Sequence, residues 1–182
     1  LRGKVYQQIV SMCEQLQDKP LLVVAEVGGS SDDRSLTVHA TCRFAMPLSG
    51  HDFRYEFFVV EDSVWAVQRN MFSGGLFGDF MGYEDLSLLP YVRMHHVVRA
   101  IYNDEHTTKQ MKFSQQVQAG EDVQLELNGT LVENVNEPRH LSAVILIVDN
   151  ATNEILNAAK GALAYTGFRP YPPYPDAIET AV

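Results

Sequence analysis

Cysteine is scarce in this chain, with Cys13 and Cys42 the two thiols in 182 residues. They form neither a C-x-x-C redox pair nor part of a metal-ligand cluster, so disulfides do not organise the fold. Tryptophan occurs once, at Trp65, which excludes a series of indoles for stacking bases or sugars. Basic residues are few: 14 Lys and Arg stand against 23 Asp and Glu, a net charge of -9. The acids are spread from Glu26 to Glu179 rather than massed in a tail, and such a surface repels a phosphate backbone, so nucleic acid is excluded as a partner. Long apolar runs are missing too. The stretch Leu141 to Val148 is about eight residues, far short of the ~20 that span a bilayer as a helix.

Catalytic signatures are equally absent. There is no G-x-S-x-G elbow and no H-E-x-x-H, the local patterns that place a nucleophile or a zinc ion. Ser73-Gly74-Gly75, Gly78 and Gly82 are glycine-rich, but no Gly-Lys-Ser/Thr follows and aromatic residues fill the stretch instead, which does not fit a phosphate cradle. The chain opens at Leu1 with no basic, apolar, small-residue leader, and reads as a mature or trimmed fragment.

What is present is alternation. Val5, Ile9, Met12, Cys13 and Leu16 recur at three- and four-residue spacing, predicting an amphipathic helix over 2–17 whose stripe, with Cys13, is buried. Asp18-Lys19-Pro20 ends it, because Pro20 drives Lys19 into extended backbone. Leu36, Val38, Ala40, Cys42 and Phe44 then alternate with Thr37, His39, Thr41 and Arg43, the period of two that marks a strand with one buried face; Cys42 is expected as a buried free thiol. Phe53 to Val60 is expected as a central strand. Further strands are predicted at 21–27, 92–102, 110–118, 121–132, 141–149 and 154–165, the last two joined as a hairpin through Asp149-Asn150-Ala151-Thr152-Asn153. With no helix-length segment between strands, parallel βαβ units are not expected. The fold class is all-β, an immunoglobulin-like antiparallel β-sandwich of about seven or eight strands with one N-terminal α-helix.

Three units follow: the helix in 1–20, a sandwich in 21–166 with a long insertion at 69–90, and a tail at 167–182 in which Pro170, Pro172, Pro173 and Pro175 surround Tyr171 and Tyr174. The insertion is the leading functional candidate, since connections this long are uncommon in compact domains and often bind. Exposed together, Phe72, Phe77, Phe80 and Tyr83 would form an apolar patch for a protein or glycan; folded back, they would cover a sheet edge. His95-His96 invites a metal reading, but neighbours on a strand point to opposite faces, so no metal site is expected. Glu61, Asp62, Asp79, Glu84 and Asp85 are the carboxylates available to a glycosidase. Asn128-Gly129-Thr130 and Asn150-Ala151-Thr152 match the glycosylation triplet but arise easily by chance, and Gly129 reads as a strand bulge.

Tyr91-Val92, His96, Val97-Val98 and Arg99 resemble the tyrosine-valine, histidine-asparagine-histidine, valine-leucine-arginine outline of the twenty-eight-kilodalton outer-membrane protein family of Bacteroidetes, in its C-terminal domain. Met94 and His95 depart from that outline. Gln68 and the closing hairpin, Ala143 to Asp149 and Glu154 to Ala159, add to a likeness that covers 21–164. The resemblance implies export, an outer-membrane or cell-surface address, a lipid anchor in a missing N-terminal part, and a thioredoxin-like region ahead of the sandwich, with the helix in 1–20 as the end of that region or a link to it. None of that region's active-site cysteines is here. It implies no catalytic residue and no cofactor, with His96 and Arg99 in a structural polar network. The expected function is a non-enzymatic cell-surface domain for adhesion or protein interaction; the rival readings are a carbohydrate-binding accessory domain and a glycoside-active enzyme.

Overall fold

The computed structural model describes residues 2–17, 21–69, 88–102, 111–131 and 133–168. After α1 (Arg2–Gln17) come β1 (Val23–Ser31), β2 (Ser35–Phe44), β3 (Phe53–Glu61), β4 (Val64–Arg69), β5 (Leu88–Met94), β6 (Val97–Tyr102), β7 (Asp122–Thr130), a 3-10 turn at Pro138–His140, β8 (Leu141–Asp149) and β9 (Ile155–Tyr165). Seven strands run in the order β6-β3-β8-β9-β1-β2-β7, and β4-β5 stands as a separate two-stranded ribbon.

The strand alternation decides the packing. On β2, Leu36, Val38, Ala40, Cys42 and Phe44 are all 2% exposed or less, while the other face pairs with β7: Thr37 donates to Asn128 at 2.9 Å, Thr41 to Gln124 at 2.9 Å, and Arg43 grips Asp122 through two bonds of 2.7 Å. The buried face meets Phe57, Val59, Ala143, Ile145 and Ile147 from β3 and β8 in one core. Strands β2 and β3 lie four places apart in the sheet, which would be roughly 19 Å in a flat one. Yet the Phe44 and Phe53 rings stack at 6.1 Å between centroids, with Phe113 edge-on to Phe44 at 4.9 Å. The sheet is therefore doubled over into two layers, an all-β sandwich with one N-terminal helix.

The fold line is β9, which pairs antiparallel with β8 over Ile155 to Ala162 and then lies parallel to β1 over Leu163 to Tyr165. Glycine permits the crossing. A Cβ on Gly161 would overlap the Val27 carbonyl, and one on Gly29 would overlap that of Thr37. The antiparallel expectation fails at this one pair: a parallel neighbour needs a long crossover, and the strands between β1 and β9 supply it without a helix.

Other departures are local. The expected strand at 110–118 reduces to one bridge, Arg54 to Lys112, although Met111 and Phe113 are buried. The expected strand at 92–102 is broken at His95-His96. Gly129 lies in unbroken register with Leu36 of β2 rather than in a bulge. Helix α1 forms, but its stripe is open to solvent, with Val5 51%, Ile9 55% and Met12 61% exposed; Cys13 is exposed as well, and Cys42 is buried and free as expected. Periodicity gives the helix a face but says nothing of what, if anything, covers it.

Candidate functional site

Strands β3 and β6 pair as far as Glu61 opposite Val97, and β4 and β5 resume with Val64 opposite Met94. One long hairpin is thus interrupted by two residues on each side, Asp62-Ser63 and His95-His96, and the β4–β5 ribbon leaves the sandwich as an arm. Both breaks bend through a left-handed residue, Ser63 at φ 61° and His96 at φ 57°. Such backbone costs on the order of 1 kcal/mol for a side chain other than glycine, so something must hold the corners.

Carboxylates do so. Glu61, 1% exposed, accepts from Arg99 Nε at 2.7 Å, Glu137 N at 2.6 Å and Asn136 N at 3.1 Å. Arg99 Nη2 is buried and without a hydrogen bond. Next in sequence, Asp62 accepts from the His96 backbone N–H at 2.7 Å and from Lys160 Nζ at 3.0 Å. Those bonds, the His96 bond foremost, hold its carboxyl below the ordinary 3.8 against a smaller desolvation effect. Arg93 closes the corner from the other side by donating to Ser63 Oγ at 2.8 Å.

The histidine pair behaves differently from a strand dipeptide. Because the strand breaks there, the two rings do not alternate, and His95 Nδ1 and His96 Nδ1 lie 3.7 Å and 3.6 Å from the same Asp62 oxygen. The opposite-faces premise is corrected. No group of three or more His, Cys, Asp and Glu side chains is arranged for a metal among the described residues. Arg99 and His96 both enter the corner network, one by its guanidinium and the other by its main chain.

Beyond the corner, the ribbon has two unlike faces. Val64 is 6% exposed and turned inward. The other face presents Trp65, Val67 and Leu88, at 59%, 62% and 54% exposure, beside the exposed Arg69 and Arg93. Register explains the grouping, since Trp65 pairs with Arg93 and Arg69 with Leu88, with an irregularity between Ala66 and Gln68. The all-apolar run Val64-Trp65-Ala66-Val67 hides this face in the sequence; the lone tryptophan four residues before Arg69 was its one available sign. Phe72, Phe77, Phe80 and Tyr83 lie outside the described residues, as does the tail from 169 onward.

For carbohydrate cleavage, Glu61 is ill placed, because both its oxygens already accept from the protein. Asp79, Glu84 and Asp85 lie outside the described residues. Two clefts elsewhere, of about 340 Å³ by Arg34, Thr130 and Pro138 and about 440 Å³ by Leu21, Phe44 and Gly120, border neither the corner nor the ribbon.

No protein-family model matches the chain, and no curated protein does. Among solved structures, HBP35 of Porphyromonas gingivalis superposes over 91% of this chain with a TM-score of 0.56 at 14% identity. That likeness shows a shared fold. The chain spans about half of that structure's length, 49%. A domain of the outer membrane lipoprotein Omp28 from the same organism matches 81% of this chain and 93% of its own, with a TM-score of 0.45 at 11% identity.

Proposed function

We propose that this chain is a non-enzymatic, surface-associated β-sandwich domain that contacts a protein or glycan partner through the β4–β5 arm and the residues 70–87 between its strands. The observation that carries the reading is the open ribbon face, where Trp65, Val67 and Leu88 are each more than half exposed. Apolar groups gathered on one exposed face commonly mark a contact surface. Phe72, Phe77, Phe80 and Tyr83 fall between the two strands of this arm in the sequence, and the reading takes them together with the ribbon.

An outer-membrane or cell-surface address, with export and a lipid anchor ahead of 1–20, rests on the resemblance at Tyr91-Val92, His96 and Val97-Val98-Arg99. The open stripe of α1 suits a link to a preceding region. His96 and Arg99 act structurally in this reading, fixing the arm to the sandwich. Carbohydrate binding is the second reading, because an exposed indole such as Trp65 is a platform for a sugar ring.

The test is a glycan and host-protein binding array run on the parent chain, a Phe77→Ala/Phe80→Ala variant and a Trp65→Ala variant. A partner bound by the parent and lost in either variant supports the reading. Equal binding by all three, or none by any, removes it.

A further inference from the structure

We infer that Lys160 is a positioning residue for the arm, setting through Asp62 the bend at which β4–β5 leaves the sandwich. The inference deepens the reading above by naming what aims the contact surface. Its effect on binding rests on that reading, whereas its geometry does not.

Asp62 stands in the break on one strand of the long hairpin, and His96 in the break on the other. The main chain of Asp62 is tied to the sandwich, donating to the His140 carbonyl at 3.1 Å. Its carboxylate faces two ways. Oδ1 takes the His96 N–H at 2.7 Å, with the two imidazoles at 3.7 Å and 3.6 Å, and Oδ2 takes Lys160 Nζ at 3.0 Å. A carboxylate held on one oxygen still turns about its broad terminal torsion; one held on both has its direction fixed. Direction matters here because the His96 N–H belongs to a residue at φ 57°, backbone that persists where its surroundings over-determine it. Lys160 therefore acts at one remove, on the residue that bends the second strand.

The lysine also comes from outside the hairpin. It pairs with Val144 of β8, which pairs with Phe58 of β3, so it lies two strands over and level with a residue four before Asp62. In a flat sheet those positions are roughly 16 Å apart, further than the two side chains reach. The bond thus depends on the path the chain takes at the break. Glu61 with Arg99 joins β3 to β6 below the break, and Arg93 joins β5 to Ser63 above it; neither contact reaches β9.

Trp65 rides on the arm and is the chain's one tryptophan, so energy transfer from it to a dansyl group reads the arm's direction. Asn134→Cys in a Cys13→Ser background places the acceptor, since Asn134 is exposed in the turn before Asn136 and Glu137 and Cys42 is buried. The starting protein should give one narrow distance. Lys160→Met should add a second, released population, enlarged by up to about fivefold, the most that a part-exposed ion pair supports, at a nearly unchanged urea midpoint. Lys160→Arg should restore the narrow distance. An unchanged distance in Lys160→Met overturns the inference. So does a lower urea midpoint without a change in distance, which is what a merely stabilising ion pair gives, or a failure of arginine to restore it. A partner found on the array separates the two readings: a moved arm with unchanged affinity keeps Lys160 in this role and removes the arm as the contact surface.

Discussion

The Tyr102 hydroxyl donates to the Thr130 carbonyl at 3.1 Å, joining β6 and β7, the two edge strands of the seven-stranded sheet. The ring itself lies against Gly129, where a Cβ would come within 3.2 Å of Cε1 and the hydroxyl oxygen. Burial raises the phenol's pKa, which keeps the proton that makes this bond. Doubling the sheet thus brings its two ends together, and one side chain spans what the main chain does not pair.

Tyr102→Phe should therefore cost about 1 kcal/mol, the ordinary worth of a hydrogen bond, seen as a lower urea midpoint at unchanged slope. Gly129→Ala should destabilise in the parent, because the tyrosine ring must shift. In a Tyr102→Ala background the same change should be neutral or stabilising, since alanine suits a strand better than glycine. Additive effects in the double variant would show that the edges do not meet there.

Glu61 and Arg99 make the more expensive contact. Glu61→Gln should cost about 3 kcal/mol or more, because it leaves the Arg99 guanidinium buried without a counter-charge. Adding Arg99→Met should recover part of that loss, so the pair costs less than the sum of the single changes. Urea unfolding of the four proteins decides it; strict additivity would mean that the ion pair does not couple the corner to the sandwich.

The corner shows where sequence reasoning stops. Alternation located β2 and the face buried on it, because Leu36 to Phe44 keeps a period of two against a polar partner face. It joined β5 to β6, because a two-residue bend leaves the surrounding pattern intact, and nothing in Met94-His95-His96-Val97 signals a left-handed residue at His96. The β4 strand was invisible for the opposite reason: Val64-Trp65-Ala66-Val67 is apolar throughout, so no period separates its inward Val64 from its outward Trp65. Arg99 was legible as a polar motif through resemblance, but its partner Glu61 is 38 residues away, and only the pairing of β3 with β6 brings them together.

Asp62 makes the corner sensitive to acid. Its carboxyl sits below the ordinary 3.8, chiefly through the His96 N–H and then Lys160, so the unfolded chain takes up its proton more readily than the folded one. Stability from this group is complete above the ordinary value and is lost as pH falls through the folded one. Glu137, lowered by Arg139, acts in the same direction. The urea midpoint should fall from about pH 5 to about pH 3, and less steeply in Asp62→Asn, which keeps an acceptor for His96 but no charge. A parallel curve for the variant would remove Asp62 from the acid response.

The two thiols should separate completely in reactivity. Cys13 is exposed on α1, and Cys42 is buried on β2, where loss of solvent pushes its pKa up to about 12. The thiolate is the reactive species, so at pH 8 Cys42 is doubly protected, by access and by protonation. A disulfide reagent should titrate one thiol per native chain quickly, with the second appearing at the rate of unfolding. Because β2 lies between β1 and β7, that slow phase reports opening of the sandwich core. It should quicken in Glu61→Gln and in Gly129→Ala in proportion to their loss of stability while unfolding remains the route of access. Rapid labelling of both thiols in the native protein would mean that β2 is not the closed interior strand its alternation and burial describe.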